Sequence, residues 1–143
     1  MNELRILLVE DNEGDIFMIS EALGELSVPV KLVNQKDGQL AIEYLSGLVH
    51  CEARAFPDLI LLDINLPKKN GHEVLQFIKS HDQLKHIPVI MLTTSAAPED
   101  VLFAYQNYAS SYVTKSSSEN DLSKVMELVE DFWVNLARLP SRH

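Results

Sequence analysis

Short, continuous apolar runs that stop at polar residues, each followed by a helical pattern, constrain this chain more than any other feature. Ile6-Leu7-Leu8-Val9, Leu59-Ile60-Leu61-Leu62 and Val89-Ile90-Met91-Leu92 are apolar at every position rather than at alternate ones. Such strands are buried on both faces, as strands of a parallel sheet are. Val30 to Val33 and Ser111 to Thr114 read as two shorter strands. After the first run, residues 10–15 break the pattern and end at Asp15, a good N-cap. Ile16, Ile19, Ala22, Leu23 and Leu26 then recur at helical spacing. Gln39 to Leu48 reads as a second helix, with Leu40, Ile42, Leu45 and Leu48 toward the core. Val49 to Ala55 is a loop of more than the usual length. Val74, Leu75, Phe77 and Ile78 mark a third helix after a turn over Pro67 to Gly71, and Pro98 opens a fourth at a first-turn position. Leu122 to Leu139 forms a long last helix. Strand and helix thus alternate five times, which predicts an α/β fold: a doubly wound, five-stranded parallel sheet with helices on both faces.

The chain has 143 residues, which suits one domain with one core and no output domain. Its formal net charge of -9 argues against nucleic-acid binding, which needs clustered Lys and Arg. A lone Cys51 cannot form an internal disulfide and fits a reducing compartment. No apolar stretch is long enough to span a membrane, and the N-terminus enters a strand without a signal-peptide pattern. The expected location is the cytoplasm. His50, His72, His81, His86 and His143 have no metal-site spacing and read as surface or loop residues.

In an open parallel sheet, ligands bind beyond the carboxyl ends of the strands. The first strand ends in Glu10 and Asp11, the third in Asp63 with Asn65 two residues on, the fourth in Thr93 and the fifth in Lys115. Close carboxylates repel one another unless a cation joins them. Hard oxygen ligands of this kind suit Mg2+. An oxygen nucleophile, Mg2+, an ammonium and a hydroxyl are the parts that hold a phosphoryl group, and Asp63 on the central strand is the natural nucleophile. Taken singly, each residue has a plainer reading. Glu10-Asp11 terminates a strand, Asp63 forms a turn, Thr93 bonds a loop backbone and Lys115 is one more surface lysine. Those readings do not explain why the polar groups fall at four strand ends in order.

These segments resemble the receiver domain of two-component response regulators. The resemblance runs from about Leu4 to about Leu136 and is carried by Ile6 to Asp11 (ILLVED), Leu59 to Pro67 (LILLDINLP) with Gly71, Pro88 to Thr93 (PVIMLT) and Tyr112 to Lys115 (YVTK). It implies the flavodoxin-like strand order 2-1-3-4-5. It further implies that Asp63 is the phosphoacceptor. Asp11, Asp63 and the Asn65 backbone carbonyl would ligate Mg2+, with Glu10 acting directly or through water. Lys115 would pair with the phosphoryl group, and Thr93 would turn toward it. Tyr112 would then swing from solvent into the space Thr93 leaves. That exchange would couple the site to a face made by the fourth helix, fifth strand and fifth helix.

The long loop before the third strand, and the ending Glu130-Asp131-Phe132-Trp133 with Leu139-Pro140, are similar to single-domain regulators that work with cyanobacterial and bacterial phytochrome kinases. The implied donor is a phosphohistidine on a light-sensing histidine kinase, a bacteriophytochrome. The subgroup tends to form homodimers. Phe132 and Trp133 serve either as an interface anchor or as packing on the chain's own sheet.

Two positions depart from the family. Ser116 stands where a proline, often cis, usually follows the lysine; a cis bond there would cost roughly 2.5–4 kcal/mol rather than under about 1, which leaves the loop geometry open. Thr94 stands where a small residue is usual, and its bulk would slow the hydrolytic water and lengthen the phosphoform's life.

Other classes fit less well. A phosphatase of the haloacid dehalogenase type wants a second Asp as general acid where Asn65 stands, so no turnover beyond self-phosphotransfer and slow loss to water is expected. Neither glycine-rich nucleotide motif follows any strand. The remaining alternative is a phosphorylation-independent, receiver-like interaction domain.

Overall fold

The computed structural model describes residues 3–51, 55–115, 125–127 and 129–131. The elements run β1 (Leu4–Val9), α1 (Glu13–Gly24), β2 (Val30–Gln35), α2 (Gly38–Val49), β3 (Leu59–Leu62), α3 (Gly71–Ser80), β4 (Val89–Thr93), α4 (Pro98–Gln106) and β5 (Ser111–Thr114). Residues 125–127 and 129–130 are helical, within the span expected for the last helix; the rest of that span, Phe132 and Trp133 included, lies outside the described residues, as does Ser116.

All neighbouring strands pair in parallel, in the order β2-β1-β3-β4-β5. The register explains the continuous apolar runs. Leu7, Val9, Ile60, Leu62, Val89 and Met91 face one side, where α2, α3 and α4 supply Ala41, Leu45, Val74, Leu75, Ile78 and Ala104. The alternate residues of the same strands face the other side: Ile6, Leu8, Leu59, Leu61, Ile90 and Leu92 meet Ile19 and Leu23 of α1 and Val125, Met126 and Val129. Each central strand therefore feeds two apolar layers, so no position on it is free to be polar until the strand ends.

Element starts differ from the sequence expectation where caps decide them. Asp15 does not cap α1. Asn12 does, its side chain accepting from the Asp15 backbone N–H at 2.9 Å, and the helix begins at Glu13. Asp15 is thereby carried inside the first turn. β2 continues two residues past Val33, since its ladder with β1 runs on through Leu8–Asn34 and Val9–Gln35; Asn34 also donates its side-chain amide to the Leu8 and Glu10 carbonyls at 3.0 and 3.3 Å. Asp37 caps α2 by accepting from Leu40 N–H at 2.7 Å, and Leu40 points outward, 43% exposed, rather than into the core. α3 opens on a capping box between Asn70 and Glu73.

The chain passes from β1 outward to β2 and then back across β1 to β3. The reversal opens a crevice beyond the carboxyl ends of β1 and β3, which is where an open α/β sheet holds its ligand.

Candidate functional site

Four strand ends meet at that crevice. β1 runs directly into Glu10 and Asp11, β3 into Asp63, β4 ends on Thr93, and Lys115 follows β5. The ladder extends to these residues. Asp63 N–H donates to the Val9 carbonyl at 3.1 Å, Glu10 N–H to Gln35 at 3.0 Å and Lys115 N–H to Thr93 at 2.6 Å. Backbone pairing thus fixes where each functional side chain starts.

Glu10, Asp63 and Thr93 are buried, while Asp11 is exposed at the mouth. Carboxylate oxygens of Glu10, Asp11 and Asp63 lie within 4.8 Å of one another. The Lys115 ammonium reaches Glu10 Oε1 at 2.6 Å, Asp15 Oδ2 at 2.8 Å and Asp63 Oδ2 at 3.3 Å. Burial pushes the Glu10 carboxyl up to about 7; the Lys115 hydrogen bond opposes that rise, and the neighbouring Asp63 charge adds to it. Burial alone would lower Lys115. Its hydrogen bonds to Asp15 and Glu10, with the charges of Asp63 and Glu10, outweigh burial and hold the ammonium well above its ordinary value. One cation therefore balances several buried or half-buried acids, and a small divalent ion at the three carboxylates would relieve the remaining repulsion.

Asn65 follows Asp63 in the loop. Its backbone N–H donates to Asp63 Oδ1 at 3.3 Å and its side chain is exposed. Gly71 closes the other side of the loop. Its N–H donates to the Ile64 carbonyl at 2.9 Å, and the start of α3 lies directly against the Asp63 backbone.

The strand-end pattern places Thr93 at the site and the family resemblance adds Tyr112, and the structure links them through Ser95. Thr93 Oγ1 accepts from Ser95 N–H at 3.3 Å, and the Tyr112 hydroxyl donates to the Ser95 carbonyl at 2.8 Å. Tyr112 is half-buried, packed against the core layer on the α2–α3–α4 side, with its hydroxyl turned to the β4–α4 loop rather than to solvent.

Two parts of the arrangement escape a reading of the sequence. Asp15 suits a helix cap and instead grips Lys115; the available signal is an acid one helical turn after the Glu10-Asp11 pair. His72, expected on the surface, lies on α3, half-buried, with Nε2 2.9 Å from Asp100 Oδ1 and its ring tilted against Phe103, the centroids 4.3 Å apart. Asp100 Oδ2 in turn accepts from the Ser95 hydroxyl at 2.5 Å. Nothing in local sequence relates residues so far apart.

The profile of the response regulator receiver domain matches residues 6–127. The chain belongs to the response-regulator receiver family. Among other receivers, it is 41% identical over 136 residues to response regulator Rcp1 of Synechocystis sp., covering 95% of this chain and 92% of Rcp1. The crystal structure of the phosphorylated cyanobacterial phytochrome response regulator RcpA superposes with a TM-score of 0.88 at 45% identity, covering 98% of this chain and all of that one (100%). The Mn2+-bound form of Rcp1 gives a TM-score of 0.86 at 40% identity, with 96% and 99% covered. The receiver fold and its strand order are therefore as the sequence predicts, and its acid cluster is of the kind that suits a divalent cation such as the one bound to Rcp1.

Proposed function

We propose that this receiver is a phosphoryl-accepting switch in which Asp63 takes the group from a phosphohistidine of a sensor histidine kinase. The carrying observation is the convergence on Asp63, at the end of β3, of two further carboxylates and the Lys115 ammonium from the ends of β1 and β5. In the transfer, an Asp63 carboxylate oxygen attacks phosphorus, the P–N bond to the donor imidazole breaks, and the imidazole leaves as its electron pair returns to nitrogen. Glu10, Asp11, Asp63 and the Asn65 backbone carbonyl would hold Mg2+, whose charge offsets that of the phosphoryl oxygens. Lys115 offers the remaining positive charge. Thr93 offers its hydroxyl once it releases the Ser95 N–H, and Tyr112 follows by leaving the Ser95 carbonyl, which carries the event to the face formed by α4, β5 and the last helix. Slow attack of water on phosphorus returns Asp63 and phosphate; steady turnover of a separate substrate is no part of this reading.

Likeness to RcpA, a phytochrome response regulator, supports a phytochrome kinase as donor. The same reading takes a homodimer as the signalling form. A cytoplasmic location fits such a donor, and among the described residues no helix is long and apolar enough to cross a membrane.

The test is intact mass after incubation with Mg2+ and a small acyl-phosphate donor, for wild type and Asp63→Asn. One added phosphoryl group on wild type alone, abolished by chelator, is the expected result. Neither adduct nor cation binding would return the chain to the class of phosphorylation-independent interaction domains.

A further inference from the structure

Lys115 has three N–H donors and three carboxylate acceptors, and the acceptors are not equivalent. Glu10 and Asp63 belong to the acid trio that fits a cation. Asp15 does not. It stands on α1, its side chain 34% exposed where that of Lys115 is 10% exposed, and it is the second-nearest acceptor at 2.8 Å. Its place is set by backbone structure, since Asn12 Oδ1 holds the Asp15 N–H at 2.9 Å and fixes the first turn that presents it. A cation at the trio would draw on two of the carboxylates that Lys115 now bonds, Glu10 and Asp63. Of the three partners, Asp15 alone is left to keep the ammonium where it is.

We propose that Asp15 is a positioning residue that anchors Lys115 to α1, holds the ammonium off the cation's carboxylates and thereby sets the site's affinity for a divalent ion. The inference rests on the cation-dependent switch described above. Without Asp15, the ammonium has only Glu10 and Asp63 to bond, and it competes with the cation for both. Groups that orient ligands from behind in this way change metal affinity by about 10- to 100-fold when removed.

The test is a double-mutant cycle read as Mg2+ and Mn2+ affinity by calorimetry, with Asp15→Ala, Lys115→Met and the pair. Circular dichroism and melting temperature would establish that each variant is folded. The expected result is about tenfold weaker binding for Asp15→Ala in the wild-type background, and a change under about threefold when Lys115 is already Met. Asp15→Asn, which keeps an oxygen for the ammonium without the charge, falls between wild type and Asp15→Ala. Equal losses in both backgrounds would mean that Asp15 acts only as a distant charge, and would overturn the proposal, as would no loss at all. Wild type that binds neither ion would instead remove the switch reading itself and the proposal with it. Acceptance of a phosphoryl group by Asp63 is a separate measurement, so the two failures are told apart.

Discussion

Gly71 has no room for a side chain. A Cβ there would stand 2.2 Å from the Asp63 carbonyl oxygen and 2.7 Å from Ile64 Cα, so the turn before α3 packs backbone on backbone against Asp63. Gly71→Ala must push that loop away. A stability loss of roughly 1–3 kcal/mol is expected from such overpacking, read as a lower urea midpoint, together with weaker cation binding because Asp63 moves with the loop. Thr94 poses the opposite case, a residue with space around it. It is exposed immediately after the buried Thr93, at the mouth of the site. Thr94→Ala should shorten the life of the phosphoform by opening a path for water, measured as loss of the protein-bound phosphoryl group after donor removal. An equal or longer lifetime in the variant would end that account. At this scale the sequence is readable wherever a residue ends a strand. Asp15 is the exception because the same side chain suits a cap, and the choice of Asn12 over Asp15 is made only when the helix is built.

Among the elements, the β4–α4 loop joins β4, β5 and α4 through one residue. Ser95 alone bonds Thr93, Tyr112 and Asp100, and Asp100 joins it to His72 on α3. Reorienting the Thr93 side chain would break its bond to the Ser95 N–H, in the loop that leads into α4. The Ser95 and His72 hydrogen bonds hold the Asp100 carboxyl below its ordinary value of 3.8. A carboxyl depressed on folding stabilises the protein above its unfolded value, and that stabilisation disappears as pH falls through the lower folded value. Asp100→Asn should therefore be less stable than wild type at neutral pH, and the gap should close as the pH is taken well below 3.8, followed by denaturant midpoints across that range. A gap that stays constant with pH would show that the loop is held by packing and not by this charge. The elements themselves are legible because their periods are strong. Their joints are not, since the Asn70–Glu73 box and the Asp37 cap place the starts of α3 and α2, and a window of hydropathy does not see them.

For the whole molecule, the acids at one end of the sheet oppose the apolar layers that hold it together. Leu61, Leu62 and Val9 are buried completely, and the strands they belong to deliver Glu10 and Asp63, both buried, into the same crevice. A ligand that binds only the folded state adds RT ln(1 + [L]/Kd), about 2.7 kcal/mol at roughly a hundredfold excess over Kd. Mg2+ should raise the melting temperature of wild type and chelator should reverse it, whereas Asp11→Asn should respond far less. An unshifted melting temperature at an excess shown by calorimetry to saturate the site would contradict folded-state binding. Sequence by itself determined the α/β class, the order of the elements and the carboxylates, hydroxyl and lysine of the site, because a two-faced strand must be apolar throughout and its first polar residues must lie at its end. Only the tertiary structure decided which acids share Lys115, that His72 reaches Asp100, and that Tyr112 rests on Ser95. Those pairs lie on different elements, and their distances depend on how helices seat on the sheet rather than on any spacing along the chain.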